Sequence, residues 1–448
     1  MKKLILTPSF ILLAIWVNAQ SYLGMEADNY TGVHGIIFNP ANVTDSRLQA
    51  EINLFSGDAL FGTDYLALTL DNGLSLLDDF NFQEDITRFP SEQNNFLLNV
   101  DVVGPSFMFN LSPKSSIGVV TRVRGILNVN NINGELFESL ADEFDLNEDF
   151  SFNMEQLNTI THVWGEVGLA YGRTVINNEQ NFLKAGVTFK YLLGAGVAQG
   201  NSNSVSGNYS AATNTLTTSG SFLYNASVDL EDEEYSFEDT TPGFGADIGF
   251  VYEWRPNHAD YDEYSDDYRG LNKYKLKLGV ALTDIGSITY TDVETSNYDI
   301  NGTVTADELE NDLGQALEDN FPSTTTIEDV QVNLPTAIRL NLDYSFSKHF
   351  FTSVNYIQPM HKKGEALTTR MLNVFTITPR YESKVFSFYT PISFGEFGGV
   401  DIGSGLRFGP LMLGSSTVIS NLFSQSARVF NVYAGVKIPI YQRSKIKR

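Results

Sequence analysis

The feature that most restricts this chain is an alternation of large and small residues that recurs along most of its length. In "GFGADIGFVYEW" (243–254), Phe244, Ala246, Ile248, Phe250, Tyr252 and Trp254 share one parity, and Gly243, Gly245, Asp247, Gly249, Val251 and Glu253 the other. A strand sends alternate side chains to opposite faces, so the segment predicts a sheet with one greasy surface and one small or polar surface. "FLKAGVTFKYLLG" separates Leu183, Val187, Phe189 and Tyr191 from Lys184, Gly186, Thr188 and Lys190. "THVWGEVGLAYGRTV" separates Val163, Val167, Leu169 and Tyr171 from Glu166, Gly168, Ala170 and Gly172, and "LPTAIRLNLDYSF" separates Ile338, Leu340, Leu342, Tyr344 and Phe346 from Arg339, Asn341, Asp343 and Ser345. The last segment, "RVFNVYAGVKIPI", sets Phe430, Val432, Ala434, Val436, Ile438 and Ile440 against Asn431, Gly435 and Lys437.

Two architectures accommodate such strands. In a soluble sandwich the greasy parity is the core and the other faces water, rich in Lys, Glu, Thr and Ser. Here the second parity is crowded with Gly and carries both signs of charge: Arg122, Arg124, Glu166, Lys184, Lys190, Asp247, Arg339, Asp343, Asp401 and Arg407. Small residues and paired ions suit a curved interior with little room, which is the inside of a barrel whose greasy parity faces lipid. On this reading Asp247 and Glu253 point inward to interior Arg or Lys, and aromatic residues near strand ends (Trp164, Tyr252, Trp254, Tyr274 and Tyr290) form interfacial girdles. A secreted multi-domain sandwich is the competing reading, and it predicts a protein soluble without detergent.

The ends agree with the barrel. Met1-Lys2-Lys3, an apolar run ending in "FILLAIWV" and the small residue Ala19 read as a secretory signal peptide over 1–19, with the mature chain starting at Gln20. No cysteine occurs anywhere, which excludes disulfides, thiolate metal sites, cysteine nucleophiles and a lipid-anchoring cysteine. Past the signal no run approaches the ~18 to 20 apolar residues of a spanning helix, so a crossing must use strands. With 29 basic against 54 acidic residues the net charge is −25, which argues against nucleic acid as a partner. The acid concentrates at 139–150, 229–239, 260–268 and 306–320, where alternation stops, as in solvated loops. "DLNED" and "DINGTVTADEL" resemble calcium loops but lack, respectively, the glycine and the acid such loops need, so no metal or cofactor is expected.

Further strands read at 49–56, 63–70, 96–111, 115–128, 216–229, 273–290, 349–358, 371–392, 398–408 and 411–419. Splitting the long ones at their turns predicts about fourteen crossings, an even number as in bacterial barrels. The fold class expected is therefore all-β, a transmembrane antiparallel barrel over 49–441 with a basic tail at 442–448. "NGELFESLADEF" and "DELENDLGQALEDNF" read as short amphipathic helices in long loops, and "QGNSNSVSGNYSAATNTLTTSG" as an exposed hairpin or loop. Gly104-Pro105 breaks its run and switches the apolar parity, as a bulge does.

Before the first strand, "GVHGIIFNPANV" carries Asn39-Pro40-Ala41, in which Asn39 is placed to cap a short helix with Pro40 at its first position. This triplet, followed in order by a strand bearing Arg122 and Arg124, by "LKAGVTFKYLLGAG", by "GFGADIGFVYEW" and by "KLKLGVALTDIGSI", resembles the FadL family of long-chain fatty-acid channels, their PorV-like relatives and allied uncharacterised outer-membrane proteins of Bacteroidota. The resemblance implies a barrel of about fourteen strands in the cell outer membrane, with an N-terminal plug or hatch over 20–48. It further implies either lateral passage of small hydrophobic molecules through a kinked strand or, alternatively, a non-transporting shuttle or scaffold that binds a protein partner of the envelope or secretion machinery through its acidic loops.

Other chemistry is sparse. "GAGVAQG" (194–200) follows a strand, but a polar stretch stands where a dinucleotide site needs a helix. The five histidines show no pair at zinc-ligand spacing, and "DIGSGL" lacks the first glycine of a serine-hydrolase elbow, so no enzyme is expected. The interior charges are the candidate site: either a neutralised network holding the plug, or a polar lining in which Arg122 and Arg124, two apart on one face, clamp a carboxylate. The partners expected are the bilayer, a hydrophobic small molecule or an envelope protein, with the barrel itself a monomer.

Overall fold

A computed structural model describes residues 22–68, 86–141, 148–227, 239–256, 270–311, 313–423 and 426–442. The expected signal peptide, the start of the mature chain, almost all of the acidic runs at 229–239 and 260–268, and the tail from 443 onward lie outside the described residues.

The wall is built of fourteen staves. In chain order they are β1 (Leu48–Thr63), β2 (Asn94–Val103, resuming as Ser106–Asn110), β3 (Ser115–Ile132), β4 (Phe150–Asn177), β5 (Asn181–Ser210), β6 (Thr241–Trp254) and β7 (Leu276–Asp299). The second half comprises β8 (Ala337–Ser345), β9 (Phe350–Pro359), β10 (Val374–Glu382), β11 (Phe386–Tyr389, resuming as Ile392–Gly395), β12 (Asp401–Ile402, resuming as Ser404–Phe408), β13 (Leu411–Ser415) and β14 (Val429–Tyr441). Each stave pairs antiparallel with the next, and β14 returns to β1 from Leu48↔Tyr441 to Gly62↔Val429, which closes the sheet and leaves the barrel without edges. The fold is all-β, and no described helix is long and apolar enough to cross a membrane.

The alternation maps onto the two faces of this wall. On β6, Phe244 is 73% and Phe250 46% exposed, whereas Asp247 is 2% and Glu253 1% exposed. The outward face of β8 carries Leu340, Leu342 and Tyr344, and that of β14 carries Val432, Val436 and Ile438, all exposed. Glycine on the inward parity has a steric reason. The 3-10 turn Pro40–Val43 lies against β4, β5 and β6, and a Cβ on Gly172, Gly186 or Gly249 would come within 2.5, 2.4 and 2.1 Å of Thr44, Pro40 and Asn39 respectively. The wall is thinned where the chain inside it passes.

At Gly104-Pro105 the inward parity switches from odd (Asn99, Asp101, Val103) to even (Ser106, Met108), with a one-residue bulge against β3. The gap is sealed by side chains. Asn53 Nδ2 donates to the carbonyls of Val103 and Gly104 at 3.1 and 3.0 Å, and Ser106 Oγ accepts from Thr121 N at 2.9 Å.

Beyond the barrel, β4, β5 and β7 continue upward and are joined by Thr215–Ala226, Gly302–Thr305 and Ser323–Asn333. This extension curls around its own core of Phe152, Met154, Val205, Tyr209, Leu216, Val304, Leu309 and Phe321. Helix α1 (Val33–Phe38) lies inside the barrel; α2 (Gly134–Ala141), α3 (Ala306–Asn311) and α4 (Leu313–Asn320) pack in or beside the extension, where the acidic amphipathic segments predict helices. "QGNSNSVSGNYSAATNTLTTSG" forms a hairpin of the extension, turning at 211–214.

Several expectations need correction. The 63–70 segment is not a stave: Leu66–Leu68 pairs with Ile86–Arg88 in a separate two-stranded sheet. The described part of the 216–229 segment lies in the strand Thr215–Ala226 of the extension, and Ser323–Asn333, which carries no clear alternation, is a strand because β7 offers it an edge. Trp164, Tyr274 and Tyr290 are not girdle residues. They are 0%, 3% and 4% exposed and face inward, because each has a polar partner or a buried neighbour there; Tyr290 Oη lies 3.0 Å from His162 Nε2, and Tyr274 Oη donates to Asp343 at 2.5 Å. Trp254 is exposed on the outer face.

Candidate functional site

The interior is filled by two sets of groups, the inner segment Tyr22–Arg47 and the inward charges of the wall. Asn39 accepts from Ala41 N at 3.0 Å and so caps the turn Pro40–Val43, while its amide donates to the carbonyls of Phe250 and Val280 at 3.1 and 3.2 Å. The Asn39-Pro40-Ala41 triplet is thereby pinned against the Gly249 side of β6. Glu51 on β1 accepts from Val33 N at 2.8 Å at the start of α1, and Gly32 (φ 64) leaves it room, since a Cβ there would lie 1.9 Å from the carboxylate. Lys437 on β14 pairs with Glu51 at 2.9 Å and donates to the carbonyls of Tyr30 and Thr31.

Four of the residues selected from sequence tie the inner segment to the wall. Arg407 binds Asp28 at 2.8 Å, Lys184 donates to the Thr44 carbonyl at 2.8 Å, and Arg339 stands 4.0 Å from Glu26 and donates to Thr283 at 3.3 Å. Asp343 holds Arg380 through two contacts of 2.8 Å and Lys277 at 3.5 Å, and Lys277 in turn donates to Asn29 at 2.9 Å. Glu253 pairs with Arg255 at 2.5 Å and with Arg47 at 3.5 Å. Burial pushes the Glu26 carboxyl up to about 7 against the pull of Arg339. Burial, reinforced by the charge of Lys437, pushes the His34 imidazole down to about 3, so the ring is neutral, with its Nε2 2.8 Å from Ser56 Oγ.

A second network joins six consecutive staves, β2 to β7. Arg122 is held by Asp101 through its Nε (2.6 Å) and a terminal nitrogen, and by Glu166 at 3.2 Å. Lys190 sits 2.9 Å from Asp247, 2.7 Å from Asp284 and 3.7 Å from Glu166. Arg124 pairs with Asp284 at 3.0 Å and lies 4.9 Å over the Trp164 ring. Arg122 and Arg124 share the inward face as the spacing predicts, but each is engaged by a different carboxylate. A carboxylate clamp by this pair would first have to break both sets of contacts.

The residues selected from sequence include Arg122, Arg124, Glu166, Lys190 and Asp247 but omit their partners Asp101 and Asp284. Asp101 alternates inward in "NVDVV" and is legible there. Asp284 is not: it sits at a bulge between the Ala246 and Ile248 pairings, at φ 57, which turns both Thr283 and Asp284 inward. Asp401 stands apart from both networks, beside an apolar cavity of about 20 Å³ lined by Leu23, Leu60, Leu372, Phe397 and Val429. A second cavity of about 40 Å³ lies between Glu26, Asn42, Lys277, Arg339, Asn341 and Asn355. A single water takes up roughly 10–15 Å³ of such space, so each cavity holds a few waters at most.

No curated protein matches the sequence. Among solved structures, similarity extends to the toluene transporter TbuX of Ralstonia pickettii (10% identity, 95% of this chain and 100% of that one, TM-score 0.44). It also extends to the toluene transporter TodX of Pseudomonas putida (8% identity, 94% and 97%, TM-score 0.42) and to a Pseudomonas aeruginosa FadL homologue (11% identity, 95% and 96%, TM-score 0.38). A family model matches residues 40–416, from the Asn39-capped turn to the end of β13, and the chain belongs to the Family of unknown function (DUF5723).

Proposed function

We propose that the protein is an outer-membrane barrel that binds small hydrophobic molecules and passes them sideways through its wall. The outward parity supports the location: residues such as Phe244, Phe250, Leu340 and Val436 give the closed wall an apolar surface suited to lipid. On β6, Phe250→Arg is expected to cost about 2–4 kcal/mol of barrel stability if that residue lies near the bilayer midplane, read as a lower urea midpoint of the folded band on unheated gels.

The filled lumen supports passage by the wall rather than by an aqueous pore. The inner segment acts as a plug, tied down by Arg407, Lys184, Arg339 and Lys437, and the two cavities described beside it are water-sized. The observation that carries the reading is where the apolar cavity lies. Stave β13 ends at Ser415 and pairs with β14 only from Leu411↔Val436 to Gly414↔Tyr433. Above that point the short helix α5 (Val418–Phe423) takes the place of the strand, held by Asn421 Nδ2 donating to the Val429 carbonyl at 3.1 Å. The cavity lined by Leu23, Phe397 and Val429 sits behind this patch. The Gly104-Pro105 break, by contrast, is stitched shut by Asn53 and Ser106. The partner-binding alternative rests on acidic runs of which the two densest lie almost entirely outside the described residues.

The test is outer-membrane uptake of labelled toluene and of a small sugar, in cells with and without the gene. Faster entry of toluene alone is the expected result. Unchanged toluene entry would overturn passage, and sugar entry that depends on the gene would show an aqueous pore instead.

A further inference from the structure

The cavity behind α5 has a movable side and a charge of one sign. Phe397 closes it: the ring is 7% exposed and packs with Ala59, Leu60, Leu97, Leu372 and Val429. One edge of the ring lies against Gly62, where a Cβ would come 2.5 Å from Phe397 Cε2 and 2.6 Å from Cδ2, so β1 is thinned to receive the ring. On one side of Phe397 the chain is anchored, since Glu396 takes Arg370 through contacts of 2.5 and 2.8 Å and accepts from Asn373 N at 2.6 Å. On the other side come Gly398 and Gly399, at φ 81 and 83, with open space where their Cβ atoms would be. Two glycines in left-handed conformations next to an anchored residue form a hinge, with no heavy atom within 4 Å of either Cβ position to hold it.

The ionisable groups at this cavity are Glu396, which is spent on Arg370, and Asp401. Among the described residues Asp401 makes no ion pair and no side-chain hydrogen bond, unlike the other carboxylates selected from sequence (Glu166, Asp247 and Asp343). Among the described residues no Lys, Arg or His lines this cavity, so none there receives a carboxylate. When Asp401 is ionised, a second negative charge brought into this space is repelled by it, while an ammonium finds a partner.

We infer that Phe397 is the gate of this cavity and Asp401 its selecting group, so that the molecule taken up is apolar with a neutral or amine-bearing end, and fatty acids are disfavoured. The inference rests on the hydrophobic-passage reading and narrows it. Its test is titration of the purified full-length protein in detergent with hexylamine, 1-hexanol and hexanoate at about pH 8.5, where carboxyl groups are ionised and hexylamine is still an ammonium, on wild type, Asp401→Asn, Phe397→Ala and Gly62→Ala, each confirmed folded by its unheated gel band.

Wild type is expected to bind hexylamine about tenfold or more tighter than hexanoate, with hexanol between them. Asp401→Asn should bring amine and carboxylate within about twofold while leaving hexanol unchanged. Phe397→Ala and Gly62→Ala, one removing the ring and the other pushing it out, should both speed hexanol association. Equal binding of hexanoate and hexylamine by wild type, or an unaltered ratio in Asp401→Asn, overturns the selection. Unchanged association in both gate variants overturns the gate. If the amine preference holds while toluene uptake fails in cells, the passage reading falls and the binding site stands.

Discussion

Gly186→Val is expected to dislodge the inner segment from a barrel whose wall is otherwise intact. A Cβ at position 186 would lie 2.4 Å from both the carbonyl carbon and the oxygen of Pro40, and 2.5 Å from Ala41 N. These are backbone atoms, held by the Asn39 cap and by the two bonds from Asn39 to β6 and β7, so no side-chain rotation relieves the clash. Overpacking of this kind costs about 1–3 kcal/mol or more, against a segment retained by a limited number of polar ties. Gly249→Val attacks the same turn from the neighbouring stave, where the Cβ would meet the Asn39 side chain at 2.1 Å. Both variants should fold to heat-modifiable barrels but become cleavable within 22–47 under limited proteolysis, and should leak small ions in planar bilayers. Full protection of the segment in both would show that the inner turn does not depend on these glycines.

Arg122→Met should be the most destabilising single change among the interior charges. It leaves Asp101 without its bidentate partner and puts Glu166, Asp247 and Asp284 in the care of Arg124 and Lys190 alone. Stripping one partner from a buried pair costs about 3–5 kcal/mol, because the remaining charge is neither solvated nor compensated. The double variant Arg122→Met/Asp101→Leu removes both charges and should recover most of that loss. The measurement is the urea midpoint of the folded band for each variant, combined as a double-mutant cycle. A double variant as unstable as Arg122→Met would mean that Arg122 acts through Glu166 and the wider network rather than through Asp101.

How much of this was legible depends on the range of the interaction. Parity is local: each of Phe244, Asp247, Lys190, Glu166, Arg339 and Asp343 takes its face from its neighbours two residues away, and the faces follow directly once the strands form. Partnership is not local. Asp284 meets Lys190, 94 residues away, through a bulge that no alternation reveals, and Asp28 meets Arg407 across 379 residues. Trp164 shares the parity of Glu166 and was readable as inward from that pattern, whereas its place near a strand end suggested a girdle; the parity proved the better guide. Ser323–Asn333 had no periodicity to offer because most of it is exposed on both faces, and it is a strand only because β7 extends beside it.

By itself the sequence determined the all-β class, the approximate number of staves and which parity of each faces out, because these follow from side-chain period and chain length. It also determined that the interior would be tight and doubly charged, since glycine and ions of both signs share the inward parity. Only the tertiary structure decided which glycines make way for Pro40 and which for Phe397, which cations are spent on which carboxylates, and that Asp401 stands beside an apolar cavity with no ion pair among the described residues. Those outcomes depend on closure: β14 reaches β1 from the far end of the chain, and only then do groups hundreds of residues apart share one enclosed space.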